Sequence, residues 1–270
     1  MTLAVTEHLK LLIRLQMLNY RVNGVWKGIM RTIDLARSYE YVKTYDVLKC
    51  LQPGENVLDI GSFRTILPVF LAHNTELNVT ASDIESGEFG SPLALQKKVL
   101  QSIPLDIDIR EADATTLVDD LPEMVGNLKA VTIISTIEHI RDDGDVKAMK
   151  NIAKMLKRKG LCLVSVPFGP QYLEKEDKGF FERVYDETAL YERLINPTGL
   201  RVVQIKYFGS KNVLGARFES MYMRKDSKII YYLTRFLRAI FFLSFPFLCG
   251  ELTNPQKAGG VFFVLENHDG

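Results

Sequence analysis

The chain of 270 residues reads as an α/β fold, doubly wound around a mostly parallel, seven-stranded sheet with helices on both faces. Three observations predict it. Short runs rich in Val, Ile and Leu recur from residue 56 onward and alternate with stretches of helical spacing, as expected of strands covered on both sides. Clusters containing an acid or a glycine close one run after another, at the strand ends where open α/β sheets hold ligands. The composition, 47% hydrophobic and 25% charged, suits a chain with a sizeable core and excludes extensive disorder, collagen and disulfide scaffolds.

Residues 1–50 form an N-terminal helical segment. Leu9, Leu12, Ile13 and Met17 make a first helical stripe, Asn23-Gly24 interrupts it, and two further helical stretches end near Gln52-Pro53-Gly54. The core spans 51–210. Strands are expected over 56–60, 77–82, 107–110, 130–135, 161–166 and 201–208, with helices over 65–73, 92–101, 146–156 and 187–195. Residues 169–183 read as a polar and aromatic loop. An insertion over 211–258, helical and apolar, precedes the terminal strand within 259–270.

Charge is nearly balanced at +1 but unevenly placed. Residues 1–50 carry 8 basic and 4 acidic side chains, and residues 211–249 carry 7 and 2. Two basic flanks around an acidic middle are either solvated helix faces or one face turned toward something anionic. Cys50, Cys162 and Cys249 are odd in number, far apart and flanked by apolar residues; they read as small buried hydrophobes in a reducing compartment. The apolar stretch 11–18 contains Arg14 and lacks a cleavage site, so the location expected by default is cytoplasmic.

The strongest local signal is Val57-Leu58-Asp59-Ile60-Gly61-Ser62-Phe63, a strand ending in an acid and then a glycine before a helix. Such a turn lets backbone approach a ligand and aims helix amides at it. The further glycines of a dinucleotide fingerprint and the Gly-Lys-Ser/Thr of a phosphate loop are both missing, which argues against a nicotinamide-dependent oxidoreductase. Asp83 ends the second strand, where a carboxylate can accept two ribose hydroxyls. Glu111-Ala112-Asp113-Ala114 follows the third, Ser135-Thr136-Ile137-Glu138-His139 the fourth, and Val166-Pro167-Phe168-Gly169 the fifth.

In these clusters the chain resembles the class I S-adenosylmethionine-dependent methyltransferases, over about residues 40–208 and the last strand. Their fold is Rossmann-like. The likeness is nearest to the small-molecule branch that includes the coenzyme Q O-methyltransferases. The resemblance implies S-adenosylmethionine as cofactor, with Asp59, Gly61 and Ser62 at its methionine end. It implies that Asp83 and Ile84 hold the ribose and that Asp113 and Ala114 meet the adenine. Ser135 would lie beside the cofactor, with Glu138 and His139 facing the substrate as catalytic candidates. Helix 146–156 followed by Lys157-Arg158-Lys159-Gly160 resembles the family's entry to strand five through a basic turn. The sequence departs from the family in its turn, which holds Phe63 and Arg64 in place of further glycines. Ser135 also stands where the coenzyme Q enzymes carry a metal-associated Glu, so no metal is expected.

Each position also has a structural reading. Asp59 and Gly61 can simply shape a turn, Asp83 and Asp113 can cap helices, and Glu138 can favour a helix dipole. His139 stands as either a general base or a structural side chain. The expected activity is O- or N-methylation of a small, apolar or lipid-like acceptor. The alternative is a non-catalytic, membrane-associated cofactor-binding protein. Nucleic acid is not expected as a partner, because neither a basic groove nor an Asn-Pro-Pro-Tyr motif is present. Lys228–Cys249 is nearly long enough to span a bilayer, but Arg235 and Arg238 near its middle disfavour that. An interfacial helix on an anionic membrane surface, peripheral to it, and a lid over the substrate remain as its two readings.

Overall fold

The computed structural model describes residues 2–62, 66–84, 99, 101–103, 106–177, 179–217 and 228–268. Three helices come first: α1 (Thr2–Asn23), α2 (Val25–Met30) and α3 (Leu35–Leu48). Leu11, Leu12, Leu15, Leu18 and Val22 are buried along one side of α1, the stripe that helical spacing demands. Gly24, at φ 76, separates α1 from α2. Asp34 caps α3 by accepting the Arg37 backbone N–H at 2.8 Å.

The alternating core follows. It runs β1 (Asn56–Ile60), α4 (Leu67–Asn74), β2 (Asn78–Asp83), β3 (Asp108–Glu111), β4 (Leu128–Ile134), α5 (Gly144–Met155) and β5 (Leu156–Pro167). Then come β6 (Leu173–Asp177), β7 (Phe180–Val184), a short helix over Glu187–Ala189 that continues with wider turns over Leu190–Ile195, and β8 (Arg201–Ser210). Helix α6 (Lys228–Phe241), β9 (Cys249–Glu251) and β10 (Gly260–Glu266) complete it. The helix expected over 92–101 falls mostly outside the described residues, as do Phe63 and Arg64.

The main sheet has the order β3-β2-β1-β4-β5-β10-β8-β9. The pairs among β1 to β5 are parallel, whereas β10 runs antiparallel to both β5 and β8. Successive residues of a strand pack on opposite faces. Val57 and Phe262 join Leu12, Leu35 and Leu67 of α1, α3 and α4, while Leu58 and Phe263 join Met149 and Ile152 of α5. The doubly wound fold expected from the sequence is therefore present.

Several local expectations are corrected. The sheet has eight strands, one more than expected, because the insertion returns a three-residue edge strand, β9, against β8. Three residues are too few to carry a periodic signal. The segment read as a loop over 169–183 contains the β6–β7 hairpin, all of whose β6 residues are exposed. Its strands are matched by charge, Glu174 opposite Arg183 and Lys175 opposite Glu182. Lys157–Gly160 is not a turn before β5 but a bulge within it: pairing jumps from Leu128↔Leu156 to Ala130↔Leu161, with Lys159 at φ 57. Cys162 and Cys249 are buried as expected, but Cys50 is exposed in the turn after α3.

The hairpin is tied to the body through Arg183 and Asp145, both wholly buried. Asp145 accepts from Tyr185 Oη at 2.9 Å and from Arg193 Nη2 at 2.8 Å, and Arg183 donates to the Ile140 and Asp142 carbonyls. Asp145→Ala leaves Arg183 with only the half-exposed Glu174 as counter-charge and strips the buried Tyr185 hydroxyl of its acceptor, which should destabilise the fold by about 1–3 kcal/mol. A lower urea midpoint is expected; an unchanged one contradicts this anchoring.

Candidate functional site

The chain moves outward from β1 through β2 to β3, then returns across the sheet to β4. The direction of winding therefore reverses between β1 and β4, and a crevice lies beyond their carboxyl ends. Gly61, Ser62, Asp83, Ile84 and Ser135 collect there.

Gly61 follows β1 at φ 75, and a Cβ on it would lie 2.3 Å from the Thr136 side chain. Both the left-handed backbone and the close approach require glycine. The turn is pinned to β2, since the N–H groups of Gly61 and Ser62 reach the Ser82 carbonyl at 2.9 and 3.1 Å. The Ser62 hydroxyl donates to that same oxygen at 3.0 Å, which makes it a shaper of the turn. Asp59 is buried and points into the sheet, accepting from Thr132 Oγ1 at 2.5 Å. Burial pushes its carboxyl up to about 7, and the nearby Asp83 charge acts in the same direction.

Asp83 is half-buried at the end of β2, and its Oδ1 accepts the Ile84 N–H at 2.8 Å. Ile84 is exposed. Asp113 is exposed, with Oδ1 accepting the Thr115 N–H at 2.7 Å, and its own N–H donates to Asp120 at 2.9 Å. That is an Asx turn, and it leaves the buried Ala114 methyl beside it.

Ser135 adopts φ 44, a left-handed conformation that non-glycine residues visit rarely. Its partners explain how it is held. Ser135 Oγ donates to Glu40 Oε1 at 2.8 Å and Ser165 Oγ donates to the same oxygen at 2.9 Å. Arg37 Nη1 binds Glu40 Oε2 at 2.9 Å, and the guanidinium also reaches the Ile134 and Ser135 carbonyls at 3.2 Å. Glu40 is 2% exposed. Sequence reading missed Arg37, Glu40, Thr132 and Ser165. The available signal was a lone acid between Tyr39 and Tyr41 on an otherwise apolar helix face.

The strained turn delivers Glu138 and His139. Glu138 is 2% exposed, and its Oε2 has no hydrogen-bond partner among the described residues. Burial pushes the carboxyl up to about 8, although Arg37 opposes the shift. The His139 ring packs against Phe180, with centroids 4.7 Å apart. Its Nδ1 lies 2.8 Å from the Phe181 carbonyl; a carbonyl only accepts, so the proton sits on Nδ1 and Nε2 keeps its lone pair. Burial lowers the imidazole below its usual value, which keeps the ring neutral near pH 7. His139 Nε2 and Glu138 Oε1 are 3.8 Å apart.

A groove of about 380 Å³ opens at the opposite sheet edge, lined by Asn56, Asn78, Asp106 and Asp108 among others. It lies at the amino ends of the strands, away from the crevice. Among the described residues no cluster of three or more metal-ligating side chains occurs.

No known sequence-family profile matches the chain, and no curated protein does. Solved structures do share its fold. One is the complex between the Haloferax volcanii Trm112 methyltransferase activator and a methyltransferase: TM-score 0.55, 15% identity, covering 93% of this chain and 96% of that one. Another is Haemonchus contortus phosphoethanolamine N-methyltransferase 2 with phosphomonomethylethanolamine and S-adenosylhomocysteine: TM-score 0.52, 16% identity, covering 85% and 53%. The [4+2]-cyclase SpnF also matches, with TM-score 0.50, 14% identity and coverage of 84% and 81%. The fold is thus that of class I methyltransferases, a fold that also carries other chemistry.

Glu138 has a checkable signature. Folded, it keeps its proton up to about pH 8, whereas its ordinary value is 4.5. The folded state therefore binds the extra proton between those values, and stability falls as pH rises through that window. Glu138→Gln lacks this slope, so its stability relative to wild type in urea should grow from pH 5 to pH 8. Parallel curves would contradict the buried neutral carboxyl.

Proposed function

We propose that the chain is an S-adenosylmethionine-dependent methyltransferase acting on a small, apolar or lipid-like acceptor through an oxygen or nitrogen atom. One observation carries the reading. At the switch point between β1 and β4, a left-handed glycine turn and a half-buried carboxylate, Gly61 and Asp83, stand side by side at the ends of adjacent parallel strands. The residues present suit the cofactor. Backbone at Gly61 carries no side chain to bar its methionine end, Asp83 stands where the ribose hydroxyls would lie, and Asp113 with Ala114 borders the adenine position. Ser62 and Asp59 support this arrangement from inside, through β2 and β4. When bound, the cofactor supplies an electrophilic methyl group.

The protein's own part is alignment, exclusion of water and placement of a proton. The acceptor's proton passes to His139 Nε2, the ring atom that retains a lone pair. Phe180 shields one side of that ring, and Nδ1–H stays on the Phe181 carbonyl to fix its orientation. Glu138, kept neutral by burial, retains its own proton, so the acceptor's proton stays on the imidazole until it is released to solvent. Methyl transfer depends mainly on holding nucleophile and methyl in line. A modest general base is enough.

Two variants test the site. Asp83→Ala removes hydrogen bonds to a charged group, each worth about 1.5–3 kcal/mol, and should weaken S-adenosylhomocysteine binding roughly 10- to 150-fold with the fold intact. Unchanged affinity in calorimetric titration would sink the assignment. Gly61→Val should abolish binding, because its side chain meets Thr136 and cannot hold the left-handed turn; normal affinity there would make the turn purely structural. Wild-type protein that binds S-adenosylhomocysteine yet methylates nothing in quinone or lipid extracts would favour the non-catalytic alternative.

A further inference from the structure

Helix α6 is amphipathic in the reverse sense. Thr234 and Arg238 are 4% and 3% exposed, whereas Tyr232, Phe236 and Ile240 on the other side are 48 to 54% exposed. Arg235 donates from Nη1 to the Met30 carbonyl at 2.7 Å, which fixes the polar side of α6 against α2. The apolar side is thereby turned outward. A soluble helix normally does the opposite.

The surface continues beyond α6. Phe245 and Leu248, just after it, pack in the same core cluster as Leu11, Leu15 and Leu18 of α1, and Phe247 between them is 56% exposed. On α1, Ile13 and Met17 are exposed, and on α2 Val25 and Trp26 are both 68% exposed. Charge on these elements is mostly basic, with Glu7 of α1, paired to Lys10, as the acidic exception. Residues 8–33 contain five basic and no acidic side chains, whereas Arg235 and Arg238 of α6 lie on its inward side. Lys10, Arg14, Arg21, Lys27 and Arg31 are all exposed.

We propose that this helical cap docks on an anionic lipid bilayer, with its aromatic side chains at headgroup depth. Apolar side chains flanked by the exposed Arg14, Arg21, Lys27 and Arg31 match a surface that offers both acyl chains and negative charge. A second copy of the chain is disfavoured as the occupant, because pairing two such faces brings like charges together. Among the described residues no helix is long and apolar enough to cross a membrane. Docking through α1, α2 and α6 is independent of the cofactor crevice, and S-adenosylhomocysteine binding distinguishes failure of one from failure of the other.

Trp26 is the sole tryptophan and sits on the proposed surface, so it reports contact directly. Full-length protein is titrated with phosphatidylcholine vesicles, with and without phosphatidylglycerol. Expected are a blue shift of emission with the anionic vesicles, loss of that shift in high salt, and at least about tenfold weaker binding for the double variant Phe236→Asp/Ile240→Asp. Both substitutions are at exposed positions, and retained S-adenosylhomocysteine affinity or an unchanged far-ultraviolet spectrum verifies the fold. No shift with anionic vesicles overturns the proposal, and so does an equal shift with neutral ones. A shift that arises without lipid as protein concentration rises, with doubled mass by light scattering, overturns it in favour of self-association.

Discussion

The Glu40 carboxylate is the interaction on which the site's geometry depends. Buried at the end of β4 and β5, it accepts from Ser135, Ser165 and Arg37, three residues from three different elements. A buried carboxylate needs such partners, since its desolvation is otherwise unfavourable by several kcal/mol. Satisfying them brings α3 over the carboxyl edge of the sheet. It also compels Ser135 into the left-handed region, with a strain on the order of 1–2 kcal/mol. That turn sets Thr136 over Gly61 and leads directly into Glu138 and His139.

Desolvation then decides the protonation of the groups nearby. Asp59 and Glu138 are both driven toward neutrality by burial, the first balanced by a short hydrogen bond from Thr132 and the second left with one oxygen unpartnered among the described residues. These two carboxyls have different tasks. Asp59 joins β1 to β4 beneath the turn through Thr132. Glu138 sits beside an imidazole whose basic nitrogen is unblocked. A pair of adjacent titratable groups shifted in opposite senses is a recurrent mark of sites that move protons.

The parallel core was legible in the sequence because Val57-Leu58 and Leu163-Val164 must each be apolar on both faces, and the acids and glycines at strand ends stand out against that background. Asp83 and Gly61 were legible for the same reason. Glu40 was not, since its partners Ser135 and Ser165 lie 95 and 125 residues away and nothing local announces the contact. The β6–β7 hairpin escaped because charge pairing across strands, not apolar alternation, holds its outer strand. For α6 the spacing was readable, but which side faces outward depends on Arg235 reaching α2, a tertiary fact.

The central claim is that a ligand of the methyl-donor type occupies the carboxyl edge between β1, β2 and β4. A crystal structure of the protein grown with S-adenosylhomocysteine measures this most directly. The expected result is density along the Gly61 turn, with ribose oxygens on the Asp83 carboxylate and sulfur directed toward His139. Density in the opposite groove lined by Asn56, Asn78 and Asp106, or a crevice that stays empty at saturating ligand, would contradict it.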